Sequence, residues 1–208
     1  MSLFPADRTI LDLCAGTGGW SQPYMDAGYR VVRVELNTGG DVRLWPSAPS
    51  VKPRLPSGFD DIEPWIGNVW GVLAAPVCTY LSGCGAKHPR SDAQMLEALA
   101  LADACIRIVH VVRPQWWALE NPVGKLRKWH GPPAWSFHPC DFGDPYEKRT
   151  LLWGRFTMPK LNRVEPQGKR PGQPNEWFSK VGGKSERTKA YRSATPPGFA
   201  SAFFRANP

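Results

Sequence analysis

The chain has 208 residues, 42% of them hydrophobic, which suffices for one domain with a small appendage. It has no apolar run of about 18 residues and no signal-peptide pattern at its N-terminus, so we expect neither a membrane helix nor export. Five cysteines without regular spacing indicate free thiols in a reducing compartment such as the cytoplasm. The net charge of +8 arises after residue 150: residues 1–150 carry 15 Lys+Arg and 15 Asp+Glu, whereas residues 151–208 carry 11 and 3.

Short apolar runs bounded by turn residues predict strands at 8–16, 29–35, 68–76, 115–121 and 149–154. After the first run, "TGGWSQPYMDAG" predicts a glycine-rich turn and a helix that ends at Gly28. Residues 91–112 predict the clearest helix, because Ser91 and Gln94 form a capping-box pattern. An apolar face follows at helical spacing through Met95, Leu99, Ala102, Ile106 and Val109. This alternation of strands and helices predicts a doubly wound α/β fold with a parallel sheet.

Four residues of potential chemical interest fall at the ends of predicted strands: Gly16, Glu35, Cys78 and Glu120. Ligands of doubly wound sheets bind at the carboxyl ends of the strands. We therefore expect these residues to lie along one edge of the sheet.

The glycines of "DLCAGTGGW" (12–20) would allow a ligand to approach the backbone closely, although tight turns use glycine as well. No Lys-Ser or Lys-Thr pair follows, so the segment is not a phosphate-binding P-loop. Glu35 could bind the two hydroxyls of a ribose, and Asp41 could accept a hydrogen bond from an adenine amino group. Both carboxylates are equally typical of an exposed surface.

Cys78 in "APVCTYLSG" could be a packing residue, a metal ligand or a nucleophile. Free cysteines are more often buried and inert, but a thiolate is the natural nucleophile for an electron-poor ring carbon. Glu120 follows four apolar or aromatic residues. A carboxyl group at such a buried strand end has a raised pKa and could protonate a ring nitrogen.

Six segments occur in a characteristic order: "ILDLCAGTGGWSQPYMDAG", "VVRVE", "GDV", "APVCTYLSG", "ALENPVGKL" and "FGDPYEKRTLLWG". Together they resemble the DNA cytosine-5 methyltransferase family in its short bacteriophage form, over residues 8–154. The terminal "YRSATPPGFASAFF" is similar to the family's last helix. The resemblance implies a Rossmann-like, S-adenosylmethionine-dependent methyltransferase fold, with a catalytic domain at 1–154, a short basic DNA-contacting segment at 155–191 and a returning helix at 192–208.

The resemblance also implies the cofactor, the reaction and the site residues. Cys78 would add as a thiolate to carbon 6 of a cytosine flipped out of the DNA stack, while Glu120 acts at ring nitrogen 3. Of Lys148 and Arg149, the resemblance favours Arg149 as the residue that contacts the base oxygen. The implied catalytic residues are Cys78, Glu120, Asn121 and Arg149. The residues implied to bind S-adenosylmethionine are Asp12, Ala15, Gly16, Thr17, Gly18, Gly19, Trp20, Glu35, Leu36, Asp41, Val42 and Pro76.

Three features depart from the family pattern. Val77 replaces a second proline before the cysteine, and Pro122 replaces a valine after Asn121. "PYEKRT" stands where the family has Gln-x-Arg-x-Arg. The segment after Gly154 is shorter than the family's target-recognition region, so we expect binding to DNA mainly through phosphates, with short or relaxed sequence specificity. We also expect a monomer. The expected DNA-binding residues are Lys148, Lys169, Arg170, Lys184 and Arg187.

Other functions remain as alternatives. The departures are compatible with a catalytically impaired DNA-binding protein of the same fold, or with a cytosine-5 enzyme that transfers another one-carbon group. An RNA cytosine-5 methyltransferase would carry a second cysteine in "ALENPVGKL", and an amino-methylating enzyme would not have "APVC". Cys84 with His88, and His138 with Cys140, lack standard zinc-ligand spacing, so we expect no metal.

Overall fold

The computed structural model describes residues 4–45, 65, 67–83, 89–167 and 193–208. Its strands are β1 (Thr9–Leu13), β2 (Arg30–Val34), β3 (Val69–Ala74), β4 (Trp116–Pro122), β5 (Trp135–Phe137) and β6 (Thr150–Arg155). Its α-helices are α1 (Gln22–Asp26), α2 (Asp92–Val112), α3 (Leu126–Trp129) and α4 (Pro197–Ala206). Short 3-10 turns lie at Pro5–Asp7, Leu36–Thr38 and Pro139–Phe142.

The six strands form one sheet in the order β2-β1-β3-β4-β6-β5. β1 pairs in parallel with both β2 and β3, and β3 pairs in parallel with β4. The chain runs outward from β1 to β2 and then returns across β1 to β3, so the strand order reverses between β1 and β3. In open α/β sheets the carboxyl end of this reversal is the usual ligand crevice.

Helices cover both faces of the sheet because side chains of each strand point alternately to either side. On one face, Leu11 and Val72 join the core that contains the buried side of α2. On the other face, Ile10 and Leu73 join the core that contains α1 and α4. The doubly wound, Rossmann-like fold predicted from the sequence is thereby confirmed.

Helix α2 begins where the sequence predicts. The Ser91 hydroxyl accepts a hydrogen bond from the Gln94 backbone (3.2 Å), and the Gln94 side chain accepts one from the Ser91 backbone (3.0 Å). This reciprocal capping box satisfies two backbone donors that the helix leaves unpaired. The buried face includes Leu99, Ala102 and Val109, as predicted, whereas Ile106 is only half-buried.

Helix α4 lies on the same face as α1 and is held by aromatic packing. Phe199 and Phe203 are fully buried, and truncation of such a side chain typically costs about 3–5 kcal/mol. After the helix, the Asn207 carbonyl accepts a hydrogen bond from the Tyr24 hydroxyl (2.8 Å), and the Pro208 carbonyl accepts one from Trp70 Nε1 (2.6 Å). The end of the chain is therefore fastened near the start of β3, at the amino edge of the parallel strands.

The sequence prediction of a wholly parallel sheet is wrong for the last two strands. β6 pairs antiparallel with β4, and β5, which the sequence patterns did not reveal, pairs antiparallel with β6. A parallel connection needs a crossover, usually a helix. Between β4 and β6 the only described helix is α3, which is followed by the helix-breaking residues Gly131, Pro132 and Pro133. The chain after α3 therefore forms the antiparallel β5–β6 hairpin, and β6 joins the sheet antiparallel to β4.

Candidate active site

The four residues singled out in the sequence lie at the carboxyl ends of parallel strands. Gly16 follows β1, Glu35 follows β2 and Cys78 follows β3, whereas Glu120 lies within β4, two residues before its last residue, Pro122. Because β1 to β4 are mutually parallel, all four are at the same edge of the sheet. The predicted edge is therefore present, and its two halves are a glycine turn beside β2 and a cysteine loop beside β4.

The glycine turn after β1 is held against β2 by main-chain and side-chain contacts. The Cys14 amide donates to the Val34 carbonyl (2.8 Å), and the Gly16 amide donates to Glu35 Oε2 (2.8 Å). Gly16 and Gly18 both have positive φ, at 54° and 73°, which explains the need for glycine here. The turn exposes Gly16 and Thr17 to solvent, with Ala15 half-buried behind them.

Asp12 lies beneath this turn and is 1% exposed. The Ser21 hydroxyl donates to Asp12 Oδ2 (2.5 Å), and Arg33 Nε donates to the same hydroxyl oxygen (3.0 Å). Burial raises the pKa of Asp12 to about 6, although the Ser21 hydrogen bond and the Arg33 charge lower it. Asp12 thus supports the glycine turn through Ser21, whose hydroxyl also lies 3.3 Å from the Gly18 carbonyl, and burial disfavours its ionised form.

Arg33 also packs directly over Gly18. Its Nη2 donates to the Gly18 carbonyl (2.9 Å), and a methyl group on Gly18 would lie 2.3 Å from the guanidinium carbon. The arginine therefore fixes the outer half of the turn. The sequence analysis missed Arg33 and Ser21, and the only available signal was the polar position of Arg33 within the apolar run of β2.

Glu35 and its neighbours form the side of the edge next to the glycine turn. Among the described residues, Oε1 of Glu35 has one weak partner, the Asn37 amide at 3.5 Å, which leaves lone pairs of that oxygen for a ligand hydroxyl. Leu36 is 63% exposed beside it, an apolar surface that a planar ring could cover. Val42 is buried in the core, so its side chain contributes packing and only its backbone could meet a ligand.

Asp41 is already engaged by an arginine. Arg43 donates to both carboxylate oxygens, from Nε to Oδ1 (2.9 Å) and from Nη2 to Oδ2 (2.6 Å). These hydrogen bonds lower the pKa of Asp41. An adenine amino group would therefore share or displace the Arg43 contact.

Two further residues of the implied cofactor site are largely internal. Trp20 is 2% exposed, and its ring lies against Phe199 and Phe203 of α4. Gly19 has room for an added methyl group at ordinary contact distance, so space alone does not require glycine there. Pro76 is buried at the start of the cysteine loop.

The Cys78 loop, defined as residues 76–83, forms a tight turn that presents the thiol at the edge. The Cys78 carbonyl accepts hydrogen bonds from the amides of Leu81 (3.0 Å) and Ser82 (2.8 Å). The Arg90 guanidinium donates to the Tyr80 carbonyl and to the Ser82 carbonyl (2.7 Å). Cys78 is half-buried, and its neighbour Val77 is 53% exposed, so the loop is open to solvent.

The Cys78 loop is clamped to the segment that follows Glu120. The Asn121 amide nitrogen donates to the Pro76 carbonyl (2.9 Å), and Asn121 is 1% exposed. Further along, the Gly83 amide donates to the Val123 carbonyl (2.8 Å), and the Lys125 amide donates to the Leu81 carbonyl (2.7 Å). These three contacts fix the position of the cysteine relative to the end of β4.

Gly124 makes this clamp possible. A methyl group there would lie 2.0 Å from the Leu81 carbonyl oxygen, a backbone atom that cannot rotate away. The two backbones pass so closely that Ser82 and Gly124 form an isolated antiparallel bridge. Sequence patterns did not reveal Gly124 or Arg90, because Gly124 meets the distant Leu81 and Arg90 donates to carbonyls of a loop 8 and 10 positions earlier.

Glu120 is the titratable group of β4 at this edge. Burial raises the pKa of its carboxyl group, and the positive charge of Lys148 lowers it by less. A raised pKa keeps a larger fraction of the carboxyl protonated near neutral pH, as a proton donor requires.

Lys148, and not Arg149, is the basic residue whose charge acts on Glu120. β6 pairs with β4 so that Leu152 faces Glu120 and Leu151 faces Asn121. Arg149 lies beside Leu151 in a pocket on the other side of the hairpin. The preference for Arg149 as the residue that contacts the base oxygen stays a prediction, and the proposal below uses Lys148, whose charge lowers the pKa of Glu120.

The cysteines of the described ranges differ in environment. Cys105 is fully buried in α2, and a hydrogen bond with Cys14, together with burial, raises its pKa well above the usual range. Cys140 is half-buried in the turn before β6. Cys14 and Cys78 both follow parallel strands at this edge and are half-buried, and Cys78 is the one whose loop is clamped to the segment after Glu120.

Several sequence predictions concern residues outside the described ranges: Lys169, Arg170, Lys184, Arg187, Cys84 and His88. Within the described part of the chain, no three His, Cys, Asp or Glu side chains are grouped so that they could hold a metal ion. No helix there is both long enough and apolar enough to cross a membrane.

No protein-family model and no curated protein matches the sequence. Among solved structures, the chain is similar to a prophage-encoded protein of E. coli that its description assigns provisionally to the DNA modification methyltransferases. The two are 18% identical with a TM-score of 0.49, and the match covers 76% of this chain and 53% of the other. The matched part thus spans about half the length of that protein.

Proposed function

We propose that this chain transfers a methyl group from S-adenosylmethionine to carbon 5 of cytosine in DNA, with Cys78 as the nucleophile. The observation that carries the proposal is the clamp between the Cys78 loop and the end of β4. It holds half-buried Cys78 at the same edge of the sheet as Glu120, whose carboxyl pKa is raised. The glycine turn lies at this edge too, next to Glu35, which could bind a ribose.

The residues of the edge fit the cofactor. S-adenosylmethionine has a ribose, an adenine and a positively charged sulfur, whose methyl group is the electrophile it supplies when bound. Glu35 Oε1 has lone pairs for a ribose hydroxyl, and exposed Leu36 could cover one face of the adenine. Within the described ranges Glu35 forms no ion pair, so its carboxylate gives this side of the edge a negative charge that suits a cation, whereas Arg43 balances the charge of Asp41.

The chain's own residues account for activation of the base. Carbon 5 of cytosine is a weak nucleophile until the ring loses aromaticity. Addition of the Cys78 thiolate to carbon 6 forms a carbon–sulfur bond and moves an electron pair towards nitrogen 3, where protonated Glu120 supplies a proton. The electron pair then available at carbon 5 would take the methyl group as its bond to the sulfonium sulfur breaks, which leaves a neutral thioether. Loss of the carbon-5 proton to water restores the double bond and expels the thiolate, and nitrogen 3 returns its proton to Glu120.

Asn121 and Lys148 have positioning roles in this scheme. Asn121 holds the Cys78 loop through the Pro76 carbonyl, and Lys148 supplies positive charge next to Glu120, where it could also meet the base oxygen. The ring atoms of a stacked base are out of reach of protein side chains, so the target base must leave the DNA stack to reach Cys78.

Product analysis tests the proposal. DNA incubated with the protein and S-adenosylmethionine should contain 5-methylcytosine when digested and examined by mass spectrometry. Glu120→Gln keeps the shape of the side chain but cannot deliver a proton, so the single-turnover rate should fall by about 100-fold or more. A modified cytosine of another mass would indicate transfer of a different one-carbon group. Bound but unmodified DNA would indicate a DNA-binding protein without turnover.

A further inference from the structure

A pocket adjoins the candidate active site. It has a volume of about 330 Å³ and lies where the segment after β4 meets the β5–β6 hairpin. Its polar lining residues are Arg127, Ser136 and Arg149, and its other lining residues are Val123, Pro133, Trp135 and Leu151. The pocket is not used by the proposed chemistry, which takes place around Cys78 and Glu120.

The charge of the pocket is positive and unbalanced. Arg127 and Arg149 are both exposed, and within the described ranges neither pairs with a carboxylate; the ion pairs found there involve Arg43, His130 and Arg163. No acidic residue of the described ranges lines the cavity. Two arginines and a serine that line one cavity are suited to an anion with several oxygen atoms, because arginine binds phosphate through paired hydrogen bonds.

The apolar part of the pocket indicates that the anion belongs to a larger molecule. Inorganic phosphate would occupy the guanidinium end and leave the walls formed by Val123, Pro133 and Leu151 in water. A phosphate joined to a sugar would cover those walls with its carbon atoms. Pockets of this volume, with few polar groups among apolar walls, are typical of small-molecule-sized ligands.

The pocket lies directly beside the clamp that holds the Cys78 loop. Val123 lies two residues after Asn121, and its carbonyl accepts the Gly83 amide at the end of the Cys78 loop. The pocket therefore shares a wall with the clamp. On its outer side, Lys125 and Lys128 are exposed and Trp129 is 61% exposed, so the positive surface continues along the segment that contains α3.

We propose that this pocket holds a phosphodiester group of the bound DNA, together with its adjoining sugar, next to the catalytic edge. The inference rests on the proposed function for the choice of DNA as the polymer. It assigns to Arg149 a phosphate contact shared with Arg127, in place of contact with the target base. Such a contact positions the DNA without reading its sequence.

Binding experiments without S-adenosylmethionine separate this inference from the proposed function. Fluorescence anisotropy with a labelled 30-base-pair duplex would compare the unmodified protein with Arg127→Ala, Arg149→Ala and the double variant. Arg205→Ala is the matched control, because Arg205 is an exposed arginine at the end of α4, which is fastened at the amino edge of the sheet. Unchanged melting temperatures would show that each variant is folded.

Each pocket variant should bind the duplex about tenfold more weakly, and the control should bind as the unmodified protein does. In the double variant the plot of log affinity against log salt should be shallower by about one, the expectation for one lost phosphate contact. Arg127→Lys should keep the salt slope and still lose affinity, because lysine retains the charge but not the paired hydrogen bonds.

Equal affinity and equal salt slope in the double variant would overturn the inference, whatever the methylation result. A double variant that loses affinity for inorganic phosphate but not for the duplex would also overturn it, because the pocket would then bind a free anion. If the duplex affinity falls as expected while no 5-methylcytosine forms, the pocket stands and the proposed reaction fails.

Discussion

Replacing Asp12 by asparagine should make the protein more stable at neutral pH. Asp12 is 1% exposed beneath the glycine turn, and its pKa in the folded protein is about 6, against 3.8 for an ordinary aspartate. As the pH rises from about 4 to about 6, the unfolded chain releases this proton before the folded chain does. Ionisation therefore favours the unfolded state, and the free energy of unfolding should fall across this range and become level above it.

The size of the effect follows from the two pKa values. A tenfold difference in acidity corresponds to about 1.4 kcal/mol, so the difference between 3.8 and about 6 amounts to about 3 kcal/mol at pH 7.5. Asparagine does not titrate and can still accept the hydrogen bond from Ser21. About half a kcal/mol of this is already present at pH 4, so the variant should gain on the unmodified protein by about 2.5 kcal/mol between pH 4 and pH 7.5.

Urea unfolding, followed by tryptophan fluorescence at several pH values, measures this gain. Asp26→Asn is the control, because Asp26 is an exposed aspartate on α1 in the same part of the chain. If the difference in stability between Asp12→Asn and the unmodified protein stays constant from pH 4 to pH 7.5, Asp12 does not carry a raised pKa and the reasoning is wrong.

Three other predictions concern the clamp and its charges. Gly124→Ala should move the Cys78 loop, lower the rate of methyl transfer by about 100-fold in single-turnover kinetics and leave the affinity for S-adenosylmethionine unchanged; a normal rate would show that the clamp does not position the thiol. Asn121→Ala should lower the free energy of unfolding in urea by about 1–3 kcal/mol, because a buried carbonyl loses its donor; equal stability would contradict this. Lys148→Ala should raise the pKa of Glu120 and shift the limb of the pH–rate profile that reports it to higher pH, whereas Arg149→Ala should leave that limb in place; the reverse pattern would restore Arg149 as its partner.

Much of the fold is predictable because its signals are local. The apolar runs of β1 to β4 and the capping box of Ser91 depend on residues within a few positions of one another. The antiparallel hairpin of β5 and β6 is not predictable in this way. β5 has only three residues, and its direction depends on which strand it meets.

The site shows the same division. The positions of Gly16, Glu35, Cys78 and Glu120 follow from where strands end, so the sequence predicts that they share an edge. The partner of each side chain does not follow. The choice between Lys148 and Arg149 depends on the pairing register of β6 with β4, and the role of Gly124 depends on a backbone contact with Leu81. Both are tertiary contacts that adjacent residues do not encode.

The most direct test of the central claim is a covalent trap. DNA that contains 5-fluorocytosine should become attached to Cys78 in the presence of S-adenosylmethionine, because fluorine at carbon 5 blocks the final elimination. Intact-protein mass spectrometry should show the adduct, and peptide mapping should place it on Cys78. Cys78→Ala should abolish it, and Cys140→Ala, the control at another half-buried thiol, should not. An adduct that persists in Cys78→Ala, or that maps to Cys84, would contradict the assignment of Cys78 as the nucleophile.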